Sequence, residues 1–421
     1  MNERGIRAGI NRAFAACGAA LLLVGLATGP ARAADAAFAQ FLEALWPDAR
    51  ALGISRPVFD RAFTGLVPDL TLPDLVLPGQ TKVSGKGQAE FTRLPVEYLN
   101  PGQLAGLASQ GRALGLRHAA TLSAIEREIG VDRNIVLAIW GRETAFGTYK
   151  LPHSAIRVLA TQAYLGRRKD QFRQELLYGL KMLEDRVVTP EALKSSWAGA
   201  VGLTQFLPSE YYQLAVDMDK DGRRDIWNSV PDALGSAAAQ LKHKGWITGQ
   251  PWGAEVRLPT SATCLWEGPA RKKTARQWLA DGVVPLGKAG LPARQLDAEA
   301  FLLMPAGPYG PAFMAFENYM VIKRYNFSDL YVLFVGNLAD RIAGGGDFTN
   351  PWGRLAQATT RDIEAIQEKL KAEGYEIEKI DGKAGMNTRN QIGAWQAAHG
   401  VALDCWPSAA LLAQMRAGAT R

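Results

Sequence analysis

Residues 138–147 read AIWGRETAFG and set one carboxylate, Glu143, into the end of an apolar stretch. Glu143 follows Ile139 by four residues and Trp140 by three, so in a helix all three share a side. A carboxyl on such a side, turned into a cleft, loses hydration, keeps its proton more readily and can act as a general acid. On an exposed helix end the same residue is an ordinary surface charge. A second stretch, SSWAGAVGLTQFLPSEYY at 195–212, is rich in small residues, with Gln205 beside Phe206. Gly199 and Gly202 permit close backbone approach there. Such a segment can line a groove in which sugar rings stack on aromatics and amides bind polar groups, and it also suits a Gly-rich connection between helices. A third, DMDKDGRRDIWNSVPD at 217–232, places Asp217, Asp219, Asp221 and Gly222 as in the first half of a calcium-binding EF-hand loop. Its twelfth position is Asn228 where a Glu usually closes the loop, and Asp232 could close a longer one.

Other chemistries lack their residues. Four His (118, 153, 243 and 399) form no HExxH and no zinc spacing with the cysteines. There is no GxSxG elbow and no GxGxxG after a strand. Gly79 and Gly85–Lys86 miss the phosphate-loop spacing by one residue and lack the following Ser or Thr. Carboxylate chemistry is what remains.

Helical patterns must position these residues. Apolar positions recur at three- and four-residue spacing from Ala36 to about Ala62, from about Leu104 to Gly130, and from Asp132 to Phe146. In the last of these Asp132 is a natural N-cap and Gly147 a stop. Further helices are expected over 154–164, 170–187 and 232–244, and again through ENYMVIKRYNFSDLYVLFVGNLADRI with a break near YNFS. Segments 254–268 and 299–316 look extended, a small strand-containing insert. AGGGDFTNPWG, 343–353, reads as a linker, followed by a compact helical unit over about 358–418.

The chain has 421 residues and a formal charge of +7. Residues 1–33 carry Arg4, Arg7 and Arg12, then an apolar run, then ARA before Ala34, the pattern of an export signal. Removing them takes away four Arg and one Glu, leaving about +4. That mild excess suits an anionic polymer but is no nucleic-acid footprint. Export to the periplasm as a soluble protein, with no stable membrane insertion after cleavage, is the expectation. Cys264 and Cys405 could pair in an oxidising compartment, and two free buried thiols fit their separation as well.

Taken together, AIWGRETAFG, SWAGAVGLTQFLPSEYY, DKDGRRDIWNSVPDALGSAAAQLKHKGW and NYMVIKRYNFSDLYVLFVGNLADRI resemble the lytic murein transglycosylase B family, in order, over about residues 36–345. The tail, with DGKAGMNTR and AWQAAHG, resembles the small peptidoglycan-binding domain of wall enzymes. The resemblance implies a mainly α (α+β) fold: a lysozyme-like helical catalytic core with a small strand-containing insert, plus a three-helix C-terminal domain. It divides the chain into a signal peptide at 1–33, a catalytic domain at 34–345, a linker at 346–357 and a binding domain at 358–421. It carries the catalytic acid/base to Glu143 and substrate contacts to Ser196, Gln205, Tyr325 and Tyr331. It also suggests a structural calcium on Asp217, Asp219, Asp221 and Asp232, with no cofactor required for the reaction. Two departures stand out. Gln240 replaces a frequent tyrosine after the ALGS stretch, and Asp232 matches the family's closing Asp only with one extra residue allowed.

The implied partners are peptidoglycan strands and other cell-wall enzymes. The implied reaction is cleavage of the MurNAc–GlcNAc bond with a 1,6-anhydro end, for wall remodelling and turnover. One carboxylate suffices for it, whereas hydrolysis needs two. A hydrolytic muramidase and a non-catalytic wall-binding scaffold are the rival readings.

Overall fold

The computed structural model describes residues 30–77, 93–287, 290–356 and 358–418. The export signal read in 1–33 lies almost wholly outside these residues, as do Gly79, Gly85 and Lys86. The helix Arg133–Thr144 is the centre of the molecule: every residue from Ile135 to Gly141 is buried. A helix apolar on all sides has to be surrounded, and Asp329–Ile342 and Pro101–Arg117 pack against it. Asp132 caps it as the sequence implies, its Oδ1 accepting from the backbone N–H of Asn134 at 2.8 Å.

A separate core gathers Phe38, Leu42, Leu45 and Phe59 with the helices Ala155–Leu165 and Lys169–Glu184. The helical pattern over 36–62 is broken into Pro30–Glu43, Trp46–Ala51 and Arg56–Phe63. Pro47 and Pro57 explain it, since proline lacks the N–H a helix interior needs and is tolerated only in a first turn. The stretch from Leu104 to Gly130 likewise divides, at His118, into Pro101–Arg117 and Ala119–Glu128.

The insert is a five-stranded antiparallel sheet in the order Lys273–Thr274, Glu299–Leu303, Ala312–Phe316, Gly253–Arg257, Val284–Pro285. Trp278 fills its core and donates its indole N–H to Ala300 O at 2.9 Å. The C-terminal unit has three helices, Thr360–Ala372, Met386–Ala398 and Ala409–Ala417, around Ile366, Leu370, Ile392 and Leu412. Buried Gln367 holds the DGKAG turn by accepting from the N–H groups of Asp381 and Gly382, both at 2.9 Å.

The linker predicted between the two units is strapped down. Glu255 accepts from the backbone N–H of Thr349 and of Asn350, each at 2.7 Å, and Phe348 packs edge-on to Phe313. Cys264 of the insert and Cys405 of the C-terminal unit are joined as a disulfide. Among the described residues no helix is long and apolar enough to cross a membrane.

Candidate functional site

Glu143 occupies the last turn of the central helix and is partly buried. The backbone then winds left-handed through three residues, Ala145 (φ 47°), Phe146 (φ 57°) and Gly147 (φ 79°). Two non-glycine residues in that region cost about 1–2 kcal/mol each, so the surroundings must enforce the turn. Gly141 makes room for it: a Cβ there would lie 2.7 Å from the Phe146 ring. Thr144 locks it, donating to Leu203 O at 2.7 Å while accepting from Gly147 N at 3.1 Å. One hydroxyl thereby ties the helix that carries Glu143 to the second motif.

Two tyrosines stand over the carboxylate. Tyr331, on the helix Asp329–Ile342 and only 1% exposed, donates its hydroxyl to Glu143 Oε1 at 2.5 Å. Burial first, and the Glu143 charge second, push the Tyr331 phenol well above its ordinary range, so it stays a donor. Tyr325 lies parallel to it, ring centroids 6.4 Å apart, and donates to Thr204 O at 2.5 Å. Burial and then the charges of Glu143 and Glu210 raise Tyr325 in the same way. Arg142 lies against Tyr98, with guanidinium N–H groups 2.5 and 3.1 Å from the phenol oxygen. Burial works against the Arg142 charge, but Tyr98 and Glu143 more than offset it and hold the guanidinium protonated.

The second motif bridges the two cores. Val201 and Phe206 insert into the core built on Phe38 and Leu159, while Leu203 packs on the central one. Gly202 (φ 74°) is required where the chain crosses, because a Cβ would meet Ile226 O at 2.9 Å. Gln205 also adopts a left-handed backbone (φ 59°), with its amide N–H on Gly202 O at 3.1 Å. Ser196 sits at the far side of this loop and accepts from Ala200 N at 3.3 Å. The structure thus links Glu143 to Tyr331, Tyr331 to Tyr325, and Tyr325 to Thr204 beside Gln205, while Ser196 bonds within its own loop. Gln240 is 2% exposed, and its Oε1 has no hydrogen-bond partner among the described residues.

Of these, Thr144, Arg142 and Tyr98 were not singled out by sequence. Thr144 and Arg142 flank Glu143 in GRET, which was the available signal; Tyr98, 44 residues upstream of Arg142, had none.

In the acidic loop, carboxylate oxygens of Asp217, Asp219 and Asp221 lie within 4.8 Å of one another. Three hard oxygen donors fit part of a calcium shell, which takes six to eight. Asp232 does other work. Fully buried, its Oδ1 accepts from Met218 N at 2.7 Å and its Oδ2 from Asp225 N at 2.8 Å, so it holds the loop from behind.

These elements coincide with known proteins. The family model described as transglycosylase SLT domain matches residues 37–340, and a peptidoglycan binding domain matches 359–415. Membrane-bound lytic murein transglycosylase B of Escherichia coli is 33% identical over 215 residues, 51% of this chain and 58% of that protein. The chain thus spans little more than half the length of this curated relative. SltB3 of Pseudomonas aeruginosa, solved with NAG-anhNAM-pentapeptide, is 38% identical with a TM-score of 0.77, covering 90% of this chain and 99% of that one. Soluble lytic transglycosylase SltB1 of the same organism is 26% identical with a TM-score of 0.58, covering 73% and 98%. Mainly helical and built around the buried helix that carries Glu143, with a peptidoglycan binding domain model matching its C-terminal unit, the chain belongs to the transglycosylase SLT domain family.

Proposed function

We propose that the chain cuts the β-1,4 bond between MurNAc and GlcNAc, with Glu143 as both acid and base. Protonated Glu143 gives its proton to the glycosidic oxygen as the C1–O bond breaks. The MurNAc N-acetyl group stabilises the charge at C1. Glu143, now anionic, is steadied by the Tyr331 hydroxyl and the neighbouring Arg142 charge. It then takes the proton of the muramic 6-OH, whose oxygen closes on C1 as a 1,6-anhydro ring. No water enters, so the product masses add up to that of the substrate. The Tyr331–Glu143 hydrogen bond carries this reading: it fixes a partly buried carboxylate against a hydroxyl that stays a donor. Support also comes from SltB3, which was solved with an anhydro-muropeptide.

Ser196, Gln205 and Tyr325 bind the glycan in this reading, Tyr331 props the acid, and residues 358–421 hold the wall. The region 346–357 joins the binding unit to the catalytic unit, 34–345. Residues 1–33 direct export to the periplasm. Asp217, Asp219 and Asp221 would hold a calcium ion whose role is to stiffen the loop behind the second motif. No step of the reaction passes through it.

Glu143→Gln tests the assignment. It should abolish muropeptide release from purified sacculi while leaving sacculus binding intact; undiminished release removes Glu143 from catalysis. Mass analysis of wild-type products tests the reaction, since a gain of one water per cut means hydrolysis. Calcium should raise the melting temperature of the wild type and not of Asp219→Asn, and an equal response of both ends the metal assignment.

A further inference from the structure

Arg389 belongs to the C-terminal helix Met386–Ala398, yet its side chain is 3% exposed and lies among groups of the catalytic unit. Its fork grips Glu267 of the insert, Nε to Oε2 at 3.0 Å and Nη2 to Oε1 at 2.5 Å. The remaining Nη1 donates to Ala384 O at 2.7 Å. On the other side Nη2 lies 3.8 Å from Asp329 Oδ2. Asp329 Oδ1 in turn accepts from the Tyr319 hydroxyl at 2.6 Å and from Lys323 Nζ. Asp329 is the first residue of the helix Asp329–Ile342, and Tyr331 follows two residues later.

Burying such charges costs several kcal/mol per ion unless each is paired, and an apolar seam would join two units at least as well. A tether that only keeps a cutter near the wall needs nothing of the kind. What distinguishes this network is its place: it anchors the first turn of the helix that aims Tyr331 at Glu143. Burial opposes the Asp329 charge, but Lys323 and Arg389 outweigh it and keep its carboxyl below the usual range, so the anchor is charged.

We propose that Arg389 is a positioning residue for the reaction: from the wall-binding unit it clamps Glu267 and Asp329 together and thereby holds Tyr331 against Glu143. The C-terminal unit is then part of the active-site scaffold as well as a grip on the wall. The proposal rests on the reading of Glu143 as the acid.

The experiment uses the full-length, disulfide-bonded protein and soluble MurNAc–GlcNAc oligomers, on which wall binding plays no part. Arg389→Gln should lower kcat about tenfold to a hundredfold, the scale of a misplaced catalytic group, with KM changed by less than about threefold. Arg389→Lys should recover part of the loss. The double variant Arg389→Gln/Tyr331→Phe should be no slower than Tyr331→Phe alone, because both changes remove one prop. Effects that multiply, or an unchanged kcat, would overturn the proposal. A second readout needs no turnover. With 3-fluorotyrosine at position 331, Arg389→Gln should move the ¹⁹F resonance, and an unmoved resonance overturns the proposal even if Glu143→Gln still cuts glycan and the reaction reading fails. Should Arg389→Gln not fold, Asp329→Asn, which keeps the shape and removes the charge, carries the same measurements.

Discussion

Tyr331 and Glu143 are 188 residues apart in the chain and 2.5 Å apart in space, phenol hydroxyl to carboxylate oxygen. A hydrogen bond to a charged group contributes about 1.5–3 kcal/mol, and this one is aimed at the carboxylate that gives and takes the proton in the proposed reaction. Tyr331→Phe should therefore slow kcat on soluble glycan by about tenfold to a hundredfold while leaving the product an anhydro-muropeptide. Steady-state rates with product mass analysis check it; a wild-type rate would mean that the hydroxyl does not serve the acid.

Gly141→Ala sets two effects against each other. Alanine favours a helix interior over glycine by about 1 kcal/mol, but its Cβ would stand 2.7 Å from the Phe146 ring, which is wedged edge-on against Trp140. Overpacking of this kind costs about 1–3 kcal/mol, and Phe146 is itself buried. The variant should melt lower and lose activity, because Phe146 closes the turn that follows Glu143. A raised melting temperature would show that the ring moves aside freely.

The disulfide spans 141 residues of sequence. On the chain-entropy model, closing a loop of that size stabilises a fold by about 4–5 kcal/mol, and removals commonly cost about 2–5. Cys405→Ser should lower stability within that range in urea titrations. Dithiothreitol should reproduce the effect in the wild type and leave the variant unaltered.

Acid should loosen the seam between the units. The folded carboxyl of Asp329 lies below its unfolded value of about 3.9, so the native state binds fewer protons. Its stabilisation is fully present above that value and is lost as pH falls through the folded pKa. Asp329→Asn lacks this contribution. The stability gap between wild type and variant should thus be widest above about pH 5 and close progressively below about pH 4. A gap independent of pH would contradict the ion pairing.

The helices around Glu143 were legible because their signals are local: the Asp132 cap, the apolar run to Trp140 and the break at YNFS act within a few residues, though the helix read as running to Phe146 ends at Thr144, where the left-handed turn at Ala145 begins. Three strands of the insert, Gly253–Arg257, Glu299–Leu303 and Ala312–Phe316, were readable for the same reason, whereas the two-residue strands Lys273–Thr274 and Val284–Pro285 lie outside the stretches read as extended. The proline-broken helices near the N-terminus were missed because periodicity ran through Pro47 and Pro57 without registering the lost N–H groups. Tyr331 could be assigned to the site from the family resemblance, but not its buried donation to Glu143. Asp232 reads as a candidate ligand by spacing, and its support of the loop backbone has no local signal. The Gly-rich stretch after Ala343 looked like a tether because composition reports what a chain permits, while Glu255, which pins Thr349 and Asn350, lies about 95 residues upstream. Pairings of that separation leave no local trace, and Arg389 with Glu267, 122 residues apart, is another.

Those pinned residues bear on how the enzyme would travel. On a slack tether, a cutter anchored at one point explores a volume set by the length of its leash and reaches many bonds from a single hold. Here the leash is stapled along its course and the gripping unit is welded to the blade. In the proposed reaction each foothold on the wall would then offer one fixed register of bonds, and the next cut would wait until the whole molecule lets go and lands again.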